Sequence, residues 1–190
     1  YIMGFNNTPP PTWIQLVEIA KWCPTIHNLQ PQKIKILSEN EALLYYDPKR
    51  LLPEGDPESI FATVAMGIFI EHLSIAASNF DYQVEKIKVF EDISIHKKNL
   101  TIFAKLQLSK RNSKEEIDYK LIKRRRTSRI NYDGKPISNS LVNTIKNECE
   151  KFNNEFFYSS DKRLISTIKK INQEALFEDL DNDAIRKELD

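Results

Sequence analysis

Two short segments of this sequence carry residue types that could do chemistry. The first is Cys23-Pro24-Thr25-Ile26-His27-Asn28-Leu29-Gln30-Pro31-Gln32. It sets a hydroxyl, an imidazole and carboxamides in a loop bracketed by prolines, whose rings fix the backbone at both ends. Neutral donors and acceptors of this kind suit the edge of a polar heterocycle with alternating carbonyl and ring-nitrogen groups. The plainer alternative is an amide-rich loop that satisfies its own backbone. The second segment, Lys120 to Arg129, holds Lys120, Lys123, Arg124, Arg125, Arg126 and Arg129 and no acidic residue. Like charges this close repel, so the cluster is either solvated or matched by an anion. Arginine presents a planar fork suited to phosphate, and Thr127 and Ser128 add hydroxyl donors. Each charge-assisted bond to such an anion is worth about 1.5–3 kcal/mol.

Other chemistries find less support. His27, His72 and His96 lie far apart, without the spacing of a zinc site. The Glu71-His72 pair reads as a satisfied polar step on a helix face. Cys23 and Cys149 fall on apolar helical faces and read as core residues; two cysteines make no disulfide framework and point to a reducing, cytoplasmic setting. Four glycines, Gly4, Gly55, Gly67 and Gly134, are too far apart to build a Gly-rich phosphate loop. The chain has 190 residues, and Lys plus Arg number 28 against 27 Asp plus Glu, a net charge of +1. That balance offers no global field for nucleic acid or an acidic membrane. Hydrophobic residues at 41% and charged residues at 29% fit a folded globular chain. No basic start followed by an apolar core of a signal peptide is visible.

The elements that must hold these segments are legible from periodicity. Thr12-Trp13-Ile14-Gln15 has the form of a capping box opening a helix, with Trp13, Leu16, Val17, Ala20 and Cys23 on one face until Pro24. Lys33 to Leu37 alternates as a strand and pairs with Leu43 to Asp47 across Ser38-Glu39-Asn40-Glu41. Asp56-Pro57 predicts a helix start, and the helix runs to about Asn79. Its central part is apolar nearly all round, which predicts burial on several sides. The apolar run Ile60 to Ile70 is interrupted by Glu71 and His72, short of the roughly 20 residues of a bilayer span, so a core helix is expected. Strands follow at Tyr82 to Phe90 and Thr101 to Leu108, and a short helix through Ile117, Leu121 and Ile122 leads into the basic run. Ser138 caps a helix with the stripe Leu141, Val142, Ile145, Cys149 and Phe152. Glu155 to Tyr158 is a strand candidate. Leu164, Ile168, Ile171 and Ala175 mark a long amphipathic helix, and a short one follows. The pattern predicts an α+β fold, with a mixed or antiparallel sheet packed on the long central helix.

In these segments the chain resembles the nitroreductase-like FMN-binding oxidoreductases. Pro24 to Gln32, PTIHNLQPQ, is similar to their P-S-x-x-N-x-Q-P-W loop, with Thr25 for Ser and Gln32 for Trp. Arg125 to Arg129, RRTSR, is similar to their R-R-S-x-R phosphate motif. The two-halved Acg-type branch adds an Asp-Pro helix start, here Asp56-Pro57, and an R-R-R-T-N-R segment, here Arg124 to Arg129. The resemblance runs in order from about Leu16 to Ser138.

It implies a nitroreductase-like fold with residues 1–118 as a first half and 119–190 as the start of an incomplete second half. It implies FMN as cofactor, with Thr25, His27, Asn28 and Gln30 toward the ring and ribityl chain. Arg125, Arg126, Thr127 and Arg129 would face the phosphate. The implied activity is transfer of reducing equivalents from NAD(P)H to an electron-poor acceptor such as a nitroaromatic or a quinone. No acid–base residue is named, because the cofactor does the redox chemistry. The partners implied are nicotinamide, a small acceptor, and either a second copy or a further C-terminal half. Two other readings stay open: a protein that sequesters flavin without turnover, and, on the basic run alone, a nucleic-acid module.

Overall fold

The structure, a computed structural model, describes residues 11–111, 117–128, 130 and 133–189. Its contacts divide the chain into two compact units, one reaching Arg126 together with the last residues from Lys187, the other Thr127 to Arg186.

The first unit is α+β. Helix α1 (Pro11–Ala20) leads through a 3-10 turn (Ile26–Asn28) into strands β1 (Gln32–Ile36) and β2 (Glu41–Tyr46). A second 3-10 turn (Pro48–Arg50) precedes α2 (Ile60–Ser78), β3 (Tyr82–Val89), β4 (Thr101–Lys110) and α3 (Lys120–Arg124). The four strands form one antiparallel sheet in the order β1-β2-β4-β3. The β1–β2 hairpin pairs Gln32 with Tyr46 and Ile36 with Ala42. This register turns Gln32, Ile34, Ile36, Ala42, Leu44 and Tyr46 to the buried face, the period of two that a half-covered sheet requires. Between β2 and β4 the register slips at Leu44/Tyr45, leaving Phe103 without an opposite number. That bulge is why the consecutive Phe103 and Ala104 are both buried. Strand β3 is the far edge, largely exposed, and its Lys86 and Lys88 protect it from pairing with other chains.

Trp13, Leu16, Val17 and Ala20 of α1 are fully buried against α2, which also packs on β3. Helix α1 covers Pro11–Ala20, so Thr12 lies within it and is not the cap that the sequence pattern suggests. Helix α2 begins at Ile60 rather than at Asp56-Pro57. Asp56 to Ser59 instead make a turn in which Ser59 adopts a left-handed conformation (φ 56°), with its N–H bonded to the Asp56 carbonyl at 2.8 Å. The buried Asp56 carboxylate still serves the helix from upstream, accepting from Phe61 N at 3.3 Å and Ala62 N at 3.0 Å.

The burial of α2 is also narrower than expected. Ala62, Ala65, Met66, Phe69, Leu73, Ala76 and Ala77 enter the core, whereas Ile60, Phe61 and Val64 are more than half exposed along its first turns. Among the described residues α2 is the one helix long and apolar enough to cross a bilayer, by length and composition, and 44% of that window is buried.

The second unit contains α4 (Asn139–Lys151), α5 (Lys162–Asp181) and most of α6 (Asp183–Leu189). Ser138 caps α4, accepting from Leu141 N at 3.3 Å, and Asp161 caps α5, accepting from Arg163 N at 2.7 Å. Glu155 to Tyr158 is not a strand; it joins α4 to α5 without a ladder partner. No described residue of this unit is fully buried, so the stripes Leu141, Ile145 and Phe152 on α4 and Leu164, Ile168 and Ile171 on α5 stay exposed. Cys149, expected in a core, is half-buried.

Candidate functional site

The proline-bracketed loop is built by three residues in a conformation that side chains disfavour. His27 (φ 44°), Asn28 (φ 60°) and Gln30 (φ 53°) are all left-handed, and none is glycine. Such residues cost of order 1–3 kcal/mol each, less for Asn, and persist only where surroundings hold them. Here the restraints are explicit. Asn28 N donates to Thr25 O and Leu29 N to Ile26 O, both at 3.0 Å. Thr25 Oγ1 accepts from Gln30 N at 3.0 Å, and Gln30 Nε2 donates to Asn28 Oδ1 at 2.9 Å. From outside, Arg50 Nη1 donates to Leu29 O at 2.9 Å, and Asp47 N to Pro31 O at 2.9 Å.

The base of the loop is closed by Gln32, fully buried, whose Nε2 donates to the Cys23 sulfur at 3.1 Å. Gln32 Oε1 is buried without a partner. Burial pushes the Cys23 thiol up to about 12, against the opposing pull of the Arg125 charge. A thiol so placed stays protonated and acts as packing rather than as a nucleophile. The structure therefore brings Thr25, His27, Asn28 and Gln30 together, with His27 and Asn28 facing solvent and Thr25 and Gln30 half-buried.

The basic run begins on α3, which is anchored by the buried Ile122 and ends where Arg125 turns extended (ψ 137°). Arg126 Nη1 folds back onto the carbonyls of Lys123 and Arg125, capping the end of α3 as a cation should at a helix C-terminus. Lys123 Nζ lies over the Trp22 ring, 5.7 Å from its centroid. Arg125 lines a cleft with His72 of α2, and its charge acts on both the Cys23 thiol and the His72 imidazole. Thr127 is exposed and opens the second unit, and Arg129 lies outside the described residues.

One residue gains a role that the sequence did not suggest. His72 is buried in α2, and its pKa is lowered chiefly by that burial, with Arg125 pushing the same way and a hydrogen bond to the Ala20 backbone opposing. Nδ1 has no hydrogen-bond partner. It is thus half satisfied rather than a settled polar step, and the signal was a lone imidazole within the most apolar run of the chain. Compared with protein-family models and with curated proteins, the chain finds no match.

Proposed function

We propose that the chain is an FMN-dependent oxidoreductase of nitroreductase type, acting in the cytoplasm, with a nitroreductase-like fold around its antiparallel sheet. What supports the reading is that one loop gathers Thr25, His27, Asn28 and Gln30, with bonds from Gln30 to Thr25 and Asn28 and from Arg50 to the Leu29 carbonyl holding it. The donor chemistry fits the cofactor: a hydroxyl, an imidazole and two carboxamides on one strained loop suit the polar ring edge and ribityl chain. Guanidinium groups suit the phosphate. When bound, the flavin supplies the redox chemistry, passing reducing equivalents from NAD(P)H to an electron-poor acceptor such as a nitroaromatic or a quinone.

The chain's own part is to bind and orient. Asn28 and Gln30 exchange their mutual hydrogen bond for bonds to the ligand. The backbone clamps at Thr25 and Arg50 hold the loop's left-handed turns while they do so. Arg125 and Arg126 meet the anionic end, and Arg126 gives up its helix-capping bonds to reach it. Partners in this reading are the nicotinamide, the acceptor, and a second copy of the chain or a further half.

The test is whether the purified chain binds FMN at one equivalent and oxidises NADH or NADPH with an added nitroaromatic or quinone. Arg125→Ala should weaken FMN binding by about 1.5–3 kcal/mol, read by flavin fluorescence. Flavin affinity unchanged by Arg125→Ala overturns the phosphate assignment. Stoichiometric FMN with no turnover would leave a protein that only sequesters flavin.

A further inference from the structure

An open cleft of about 520 Å³ lies between α2 and α3, lined by His72, Ile75, Ile117, Leu121, Ile122, Arg124 and Arg125. Its size is that of a small-molecule site. The cleft combines an aliphatic wall with a cationic end. Ile75 and Ile122 are nearly fully buried, while Ile117 and Leu121 remain about half exposed, so the wall is only partly covered by protein. The wall is also held in place: Asn79 Nδ2 donates to the Ile117 carbonyl at 3.1 Å, and the Phe80 ring packs on Tyr119 at 5.7 Å. At the cationic end Arg124 is exposed and has no ion pair among the described residues, and Arg125 stands beside it. The third observation is His72, nine-tenths buried and lining the same cleft, with Nδ1 unpartnered. A buried polar atom with no partner in a lined cleft marks a place where an ordered water, itself able to donate onward to a bound anion, completes the hydrogen bonding.

We propose that this cleft binds an organic carboxylate, its apolar body lying on Ile75, Leu121 and Ile122 and its carboxylate held by Arg124 with Arg125 alongside. A carboxylate fits better than a phosphate because it carries one charge and two oxygens, which one guanidinium fork can satisfy. A phosphate's additional charge and oxygens would be turned toward four aliphatic side chains that cannot pair them. The site goes beyond the flavin reading and shares only Arg125 with it.

The experiment is isothermal titration of the chain with octanoate, 1-octanol and inorganic phosphate, each without flavin and with FMN added. Octanoate should bind saturably at one equivalent and at least tenfold more tightly than 1-octanol. Arg124→Gln should remove at least that tenfold preference, and Leu121→Asn should weaken octanoate and 1-octanol together. Arg124 is exposed, so circular dichroism of Arg124→Gln should match the parent; Arg124→Lys, which keeps the charge but not the fork, provides a second variant. Equal binding of octanoate and 1-octanol overturns the proposal, as does phosphate displacing octanoate at equal concentration. An unchanged octanoate Kd in both Arg124 variants does so too. Octanoate binding in a chain that takes no FMN would leave this site standing while the flavin reading falls, and the reverse result would do the opposite.

Discussion

The sealed base of the amide loop makes a measurable claim about alkaline pH. Cys23 is buried and its thiol is pushed up to about 12, from an ordinary value of 9.0. A group whose folded pKa is raised contributes stability that is fully present below its unfolded value and is lost as pH climbs toward the folded one. Between pH 9 and 12 the unfolded chain releases this proton while the folded chain keeps it, so each pH unit costs about 1.4 kcal/mol. By pH 10 the accumulated loss is about 1.4 kcal/mol, and across the whole window about 4 kcal/mol. Lysines and tyrosines titrate in the same range, so the comparison must be with Cys23→Ser, which keeps a small polar atom near Gln32 Nε2 but does not ionise. Cys149 is present in both proteins and cancels. Urea unfolding at pH 8, 9 and 10, followed by the fluorescence of the buried Trp13, gives both curves. The parent should lose stability relative to Cys23→Ser by about 1.4 kcal/mol between pH 8 and 10. A difference between the two proteins that stays constant over that range would refute the sealed-base account, because it would mean that solvent reaches the sulfur in the folded chain.

His72 gives the opposite limb. Its folded pKa lies below 6.5, so its contribution is complete above pH 6.5 and falls as acid protonates the unfolded chain first. His72→Phe should flatten the loss of stability below pH 6.5, checked by denaturant titrations at pH 7 and pH 5. Asp56→Ala removes the carboxylate that serves two α2 amides and should cost about 1–2 kcal/mol by the same assay, with Asp56→Asn recovering most of it. Thr25→Val strips the acceptor from Gln30 N and should cost about 1 kcal/mol, with a larger rise in proteolytic cleavage within the loop than elsewhere.

Most of the first unit's fold was legible because it rests on burial, and burial leaves a period in the sequence. The β1–β2 hairpin shows this: Ile34, Ile36, Leu44 and Tyr46 alternate with Lys33, Lys35, Leu43 and Tyr45, and the structure follows that alternation, with the strand ends displaced by one residue except at the start of β2, which lies two residues earlier at Glu41. Where the pattern misled, a local signal competed with geometry it could not carry. Asp56-Pro57 reads as a helix start, yet the left-handed Ser59 turns the chain first, and the carboxylate does its capping from a turn upstream. Glu155 to Tyr158 has the composition of a strand, but a strand exists only by pairing, and no partner strand lies among the described residues of its unit. The apolar residues of α2 show a further limit: composition tells how much of a helix avoids water, not whether its neighbours suffice to cover Ile60, Phe61 and Val64.

The site was legible as two groups of residue types and illegible as geometry, for reasons that particular residues make plain. Left-handed turns are normally announced by glycine, and this loop has three of them on His27, Asn28 and Gln30. Only the accumulated restraints from Thr25, Arg50 and the Gln32–Cys23 bond explain why the chain tolerates them. The Arg run looked like equivalent charges in sequence, and packing has made them unequal. Arg126 caps α3, Lys123 lies over Trp22, Arg124 borders a cleft, and Arg125 acts on both Cys23 and His72. That last pair of influences links the base of the amide loop and α2 to the charge of one guanidinium. Neutralising Arg125 should therefore raise the His72 titration toward its ordinary value, a shift visible in the imidazole proton resonance even if no flavin is ever bound. An unmoved resonance in Arg125→Gln would show that the guanidinium does not stand where the fold requires it.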